Sequence, residues 1–119
     1  MKRTLIIGAT PNTSRYANIA AFKLVQAGHE IINIGIKEGK AAGVNIEKMA
    51  EPYDDVDTIT LYIGKGHQQD YYEYILASNP KRLIFNPGAE NEELATLAQK
   101  AGIEVLEACT LVMVATEQY

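Results

Sequence analysis

The sequence predicts a single α/β domain built on a doubly wound sheet of five parallel strands in the order 3-2-1-4-5. Three observations carry this expectation. Short apolar runs rich in β-branched residues recur along the chain, each closed by glycine or a turn. Between them stand segments whose apolar residues have helical spacing. No internal repeat, low-complexity run or Pro/Gly/Ser linker divides the 119 residues, 47% of which are apolar, enough for one ordinary core. Parallel neighbours need right-handed crossovers, so this alternation covers both faces of the sheet with helices.

Thr4 to Gly8 is a short apolar run ended by glycine, as in a strand buried on both faces. Arg15 to Ala27 carries Ile19, Ala20, Phe22, Leu24 and Val25, which suits a helix packed on a sheet, and Gly28 is its C-terminal stop. His29 to Ile36 reads as the second strand, with four isoleucines supplying β-branched bulk. The glycine-rich Lys37 to Gly43 is a loop, and Ile46 to Asp57, acidic and broken by Pro52, is a connection with a short helical turn. Thr58 to Ile63 is the third strand, followed after Gly64-Lys65-Gly66 by a helix from His67 to Ser78 that Asn79-Pro80 ends. Arg82 to Phe85 is the fourth. Asn91 is placed to cap a helix from Glu92 to Ala101, whose first-turn glutamates complement the helix dipole. Gly102 ends it, and Ile103 to Leu106 is the fifth strand.

Composition narrows the function. A net charge of −4 argues against a nucleic-acid partner, which would require an excess of Lys and Arg on one face. The apolar run after Met1-Lys2-Arg3 is too short for a signal-peptide core or a membrane span, so a cytoplasmic protein with no membrane partner is expected. Cys109 is the sole cysteine, which excludes an internal disulfide and a cysteine-rich zinc site. His29 and His67 lie too far apart for a short metal-ligand spacing, and no metal is expected. Neither a phosphate-gripping Gly-x-x-x-x-Gly-Lys-Ser/Thr motif nor a serine nucleophile elbow is present, and no catalytic residue is assigned. Cys109 reads as a small buried residue and His67 as a surface one. Tyr71, Tyr72 and Tyr74 read as partial core and surface, or as part of a dimer contact.

Ligands of such sheets bind beyond the carboxyl ends of the strands where strand order reverses, here beside strands one and four. The stretch "IIGATPNTSRY" runs from strand one into a helix. Gly8 permits a sharp turn and close backbone approach, and Asn12 to Ser14 offers amides and hydroxyls before a helix N-terminus, an anion site to which Arg15 adds charge. At the end of the second strand, where NAD-binding proteins carry an acidic residue, the chain has Lys37. An ammonium there disfavours NAD and suits a phosphorylated ribose, either NADP or the 3′-phosphorylated ADP portion of coenzyme A. Asn86-Pro87-Gly88 faces Gly8 across the crevice, and the glycines of Gly64-Lys65-Gly66 let an adenine ring lie close.

Two stretches, "IIGATPNTSRYANIAAFKLVQAGHEI" and "LIFNPGAENEELATLAQKAGIEVLEAC", give the chain a family resemblance from about Thr4 to Met113. It resembles the stand-alone coenzyme A-binding proteins, whose domain is similar to the N-terminal Rossmann-like domain of the succinyl-CoA synthetase alpha subunit and of ADP-forming acyl-CoA synthetases. The Pro-Gly-Ala-Glu-Asn-Glu-Glu run is its most specific part. The resemblance implies that the first loop binds the coenzyme diphosphate, that the lysine after strand two reaches the phosphorylated ribose, and that the loops after strands three and four contact adenine and the pantetheine arm. Carried onto this sequence, it implies contacts from Gly8, Ala9, Thr10, Pro11, Ser14, Arg15, Lys37, Ile63, Gly64, Asn86, Pro87 and Gly88. Where the family often has Val-Asn-Pro-Lys, this chain has Ile34-Gly35-Ile36-Lys37, keeping the lysine without the Asn-Pro. The ligase domain with its phosphorylated histidine and the ATP-grasp partner are not in this sequence, so the resemblance implies binding of CoA or an acyl-CoA as carrier, sensor or regulator. The alternatives are an NADP-dependent reductase and a protein-interaction module that has lost its ligand, with a homodimer or a partner protein as the further association.

Overall fold

In the computed structural model, which describes residues 1–119, the apolar run Thr4–Ile7 forms strand β1, with every residue buried between parallel neighbours on both sides. Helix α1 (Tyr16–Gln26) follows, then β2 (Ile31–Ile34), the two-residue β3 (Lys40–Ala41), β4 (Val44–Glu47) and β5 (Thr58–Leu61). The remainder is α2 (Tyr72–Ser78), β6 (Arg82–Phe85), α3 (Glu92–Lys100), β7 (Glu104–Glu107) and α4 (Thr110–Ala115). The seven strands are ordered β3-β4-β2-β1-β5-β6-β7. All pairs are parallel except β3 with β4.

This architecture corrects the expected five strands in the order 3-2-1-4-5. Thr58–Leu61, expected beside the second strand, pairs instead with β1, from Thr4↔Thr58 to Ile7↔Leu61. The place beside β2 belongs to β4, within a segment expected to be loop and connection. The cause is local. Val44-Asn45-Ile46-Glu47 alternates half-buried and exposed residues, the pattern of a strand with one covered face. It forms a hairpin with β3 whose turn residues Ala42 and Gly43 both have positive φ, 54° and 78°, as a type I′ turn requires. Buried Asn33 of β2 donates to the carbonyls of Ala41 and Val44 at 3.1 Å, which fastens the hairpin to the sheet. The helical turn expected before Asp57 is absent, and Tyr53 and Val56 cover that part of the sheet instead.

Two cores lie on opposite faces, because successive strand residues point to opposite sides. Leu5, Ile7, Ile59, Leu61, Leu83 and Phe85 pack with Tyr74 and Ile75 of α2 and Leu94 and Ala98 of α3. Ile6, Ile31 and Ile84 pack with Ala17, Ala21 and Leu24 of α1, bordered by Met113 and Val114 of α4. Full burial of a side chain such as Leu24 stabilises by about 2 kcal/mol. Asn91 caps α3 as its position suggests, accepting from the Leu94 N–H at 3.3 Å. The helix expected from His67 starts later: Lys65–His67 and Gln69–Tyr71 are single 3₁₀ turns, and regular helix begins at Tyr72. No helix is long and apolar enough to cross a membrane.

Candidate functional site

Strand order reverses between β1 and β5, so the crevice lies at the ends of Thr4–Ile7 and Thr58–Leu61 rather than between the first strand and Arg82–Phe85. A cleft of about 580 Å³ opens there, within the usual range for small-molecule sites. Its walls are the β1–α1 loop, the residues after β2, and the loops after β5 and β6.

Two glycines let these walls meet. Gly8 has φ +98°, and a Cβ on it would come within 2.9 Å of Ile63 Cγ2 and 3.0 Å of the Tyr62 carbonyl. Gly35 lies so close to the β1–α1 loop that a Cβ would overlap the Ala9 carbonyl oxygen. The loop itself is fixed by the Gly8 and Ala9 amides, which donate to Ile34 O at 2.9 and 3.0 Å. Asn18, buried in α1, donates to Thr10 O at 2.9 Å.

Of the residues singled out from sequence, Gly8, Ala9, Thr10, Arg15, Lys37, Ile63, Gly64, Pro87 and Gly88 line this one cleft. Three do not. Pro11 faces a neighbouring shallow groove and packs toward Gly39. Ser14 is exposed, and its hydroxyl and amide both donate to Asn12 Oδ1, at 2.7 and 3.0 Å. Asn86 is buried with its amide turned inward: Nδ2 donates to Thr60 Oγ1 at 2.6 Å and Leu61 O at 2.8 Å, while Oδ1 accepts from the Thr110 N–H at 2.9 Å. That side chain ties the ends of β5 and β6 to the start of α4. Sequence reasoning gave no site role to Gly35, Ile36, Tyr62, Asp70 or Ala89, which also line the cleft. His67, read as a surface residue, and Tyr71, read as partial core and surface or as part of a dimer contact, line it too. For Gly35 the signal was present, a glycine where the strand meets the crevice.

The free N–H groups and the unpaired cations are placed differently from the expectation drawn from Asn12 to Ser14. The amides of Asn12, Ser14 and Arg15 are satisfied within the loop, by Thr10 Oγ1, Asn12 Oδ1 and Asn12 O. The N–H groups of Tyr16 and Ala17 in the first turn of α1 have no acceptor in the chain, and both residues line the cleft. Arg15 and Lys37 carry the positive charge. The only ion pair is Arg3 with Glu30, 3.3 Å, so neither cation has a carboxylate partner. Burial pushes the Tyr62 phenol well above its ordinary pKa, so it stays a neutral hydroxyl. Cys109 is half-buried at the start of α4 and does not line the cleft.

A family profile described as CoA binding domain matches residues 2–115. The chain is similar to a protein of known crystal structure described only as uncharacterized, with 49% identity over 100% of this chain and 98% of that one, and a TM-score of 0.97. It is also similar to a conserved hypothetical protein from Pyrococcus furiosus, 25% identical over 94% of this chain and 98% of that one, TM-score 0.80. A Thermus thermophilus protein 20% identical over 99% of this chain and 90% of that one, TM-score 0.83, shares the fold. No functionally curated protein matches the chain. With residues 2–115 of its 119 matched, the chain belongs to the CoA-binding domain family.

Proposed function

We propose that this protein binds coenzyme A or an acyl-CoA in the cleft between β1 and β5 and performs no chemistry on it, acting as carrier, sensor or regulator. The observation that supports this most is the convergence of Arg15, Lys37 and the free N–H groups of Tyr16 and Ala17 on one cleft, with no carboxylate paired to either cation. Coenzyme A carries a diphosphate and a separate ribose phosphate. In this reading the diphosphate lies on the first turn of α1, where unpaired N–H groups and the helix dipole favour negative charge, and Arg15 adds charge-assisted hydrogen bonds. Lys37, from the segment after β2, meets the ribose phosphate. Gly64 and Pro87-Gly88 leave space for the adenine and the pantetheine arm.

Calorimetric titration with CoA and, in parallel, with NADPH tests the reading. CoA is expected to bind at least about tenfold more tightly than NADPH, and Lys37→Glu to weaken CoA by about tenfold or more. Tighter binding of NADPH would reverse the assignment in favour of a reductase cofactor, and unchanged CoA affinity in Lys37→Glu would remove the ribose phosphate from that lysine.

A further inference from the structure

Gln68 stands between the two 3₁₀ turns that precede α2, in a segment whose neighbours His67 and Gln69 are exposed, yet Gln68 itself is fully buried. Its Nε2 donates one hydrogen to Ile63 O at 2.9 Å and the other to Ala89 O at 2.6 Å. Ile63 belongs to the cleft wall after β5 and Ala89 to the wall after β6. Its Oε1 accepts from Asn91 Nδ2 at 2.9 Å. Asn91 is buried too, donates to the Tyr72 hydroxyl at 2.8 Å, and caps α3 through Oδ1. The Tyr72 hydroxyl in turn donates to Glu93 Oε1 at 2.9 Å.

A carboxamide has two donor hydrogens, and here each is committed to a different wall of the same cleft. The Asn91 donor fixes which end of the Gln68 amide faces the two carbonyls, because the reversed amide would set its oxygen against both. We propose that Gln68 is a positioning residue of the ligand cleft, setting the separation of the β5 and β6 loops, and that Asn91 acts through it by setting its orientation. The effect on CoA rests on the reading of the cleft as a CoA site; the effect on loop spacing does not. A ligand held between Ile63-Gly64 and Pro87-Gly88-Ala89 depends on that separation, as ligands generally do on the groups that orient their direct contacts.

The variants Gln68→Met and Asn91→Asp and their double combination test this. Methionine keeps the length and loses both donors; aspartate keeps the cap oxygen of α3 and loses the donor to Gln68. CoA affinity is measured by calorimetry at a temperature where circular dichroism shows each chain folded, and backbone amide shifts are recorded on the ligand-free proteins. Each single variant is expected to weaken CoA about tenfold. The double should be no weaker than the worse single, since both changes break one linkage. Amide shifts should move at Ile63, Gly64, Gly88 and Ala89 and stay in place in the β1–α1 loop. Folded variants with wild-type affinity and unmoved loop amides would overturn the inference, as would additive losses. Failure of both single variants to fold would overturn it as well, by making the pair a requirement of folding. If the wild-type chain does not bind CoA, the parent reading fails, and the ligand-free amide shifts still decide the role of Gln68.

Discussion

Gly35→Ala is the substitution to which the cleft should be most sensitive. The residue directly follows β2, and its N–H donates to Glu47 O at 3.0 Å. A methyl group there overlaps the Ala9 carbonyl oxygen and stands 3.1 Å from Ile46 Cγ2 and 3.2 Å from the Ala9 carbonyl carbon. Ile46 can rotate away. The Ala9 backbone cannot easily do so, because its own N–H and that of Gly8 are both held by Ile34 O. Relief requires the β1–α1 loop to retreat by about 1 Å, or β2 to pull back from it by as much, and overpacking of this kind costs about 1–3 kcal/mol. Alanine restricts the unfolded chain more than glycine and offsets about 0.5–1 kcal/mol of that, leaving a net loss of about 1 kcal/mol at the middle of the range. With a urea m-value of about 1–3 kcal/mol per molar, the unfolding midpoint should fall by up to about 1 M. The same retreat moves Thr10 and the first turn of α1, so CoA affinity should fall about tenfold or more. Equilibrium urea unfolding followed by circular dichroism, with calorimetry on the folded variant, reads both. A midpoint within about 0.2 M of wild type together with unchanged affinity would refute the claim that Gly35 sets the approach of the two walls.

Dephospho-CoA, which lacks the ribose phosphate, should bind the wild-type chain about tenfold more weakly than CoA, and Lys37→Ala should abolish the difference between the two ligands in competition titrations. Because Arg15 and Lys37 are exposed and unpaired, CoA affinity should fall as salt is raised from about 0.05 to 0.5 M, with a shallower slope in Arg15→Ala; a salt-independent affinity would contradict the charge assignment. His29 accepts a hydrogen bond from the Lys2 N–H at Nδ1, 2.9 Å, and burial, then the positive N-terminus, lowers its pKa below the ordinary 6.5. The unfolded chain therefore binds the proton more readily, so this contribution to stability is present above about pH 6.5 and is lost as pH falls through the folded-state pKa. Thermal melts from pH 8 to pH 5 should show that loss in wild type, and His29→Gln should flatten it. At alkaline pH the sign reverses for Tyr74, whose pKa burial pushes up to about 12. Its neutral form supports the fold below pH 10, and melting temperatures should drop as pH rises from 10 toward 12.

Thr4–Ile7 and Arg82–Phe85 were legible as strands because a position buried on both faces needs little more than apolar side chains between turns. The α3 boundary was legible because capping is local chemistry, an asparagine oxygen one turn from the amide it meets. Strand β4 was hidden by its turn. Ala42-Gly43 adopts the positive φ values that Asn-Gly would have advertised, and its pairing with β2 spans only Asn33↔Ile46 and Ile34↔Glu47. Missing it displaced Thr58–Leu61 in the strand order and moved the expected crevice by one strand. Helix α4 was hidden for another reason: Thr110, Val112 and Val114 are weak helix formers, and the element owes its place to packing beside α1. At the cleft, glycines and cations at strand ends were readable as types. The inward amide of Asn86 was not, because its partners Thr60, Leu61 and Thr110 are set by tertiary structure. Gln68 was silent in the same way, a glutamine in a polar run whose two hydrogens are addressed to carbonyls in separate loops.

Amide chemical-shift mapping during a CoA titration tests the central claim most directly. Binding in the β1/β5 cleft predicts saturable shifts at Gly8 to Thr10, Tyr16 and Ala17, Lys37, Ile63 and Gly64, and Gly88 and Ala89, with the opposite edge of the sheet around Thr4 and Arg82 unmoved. No shifts at millimolar CoA, or shifts confined to the groove at Phe22 and Lys40, would contradict it.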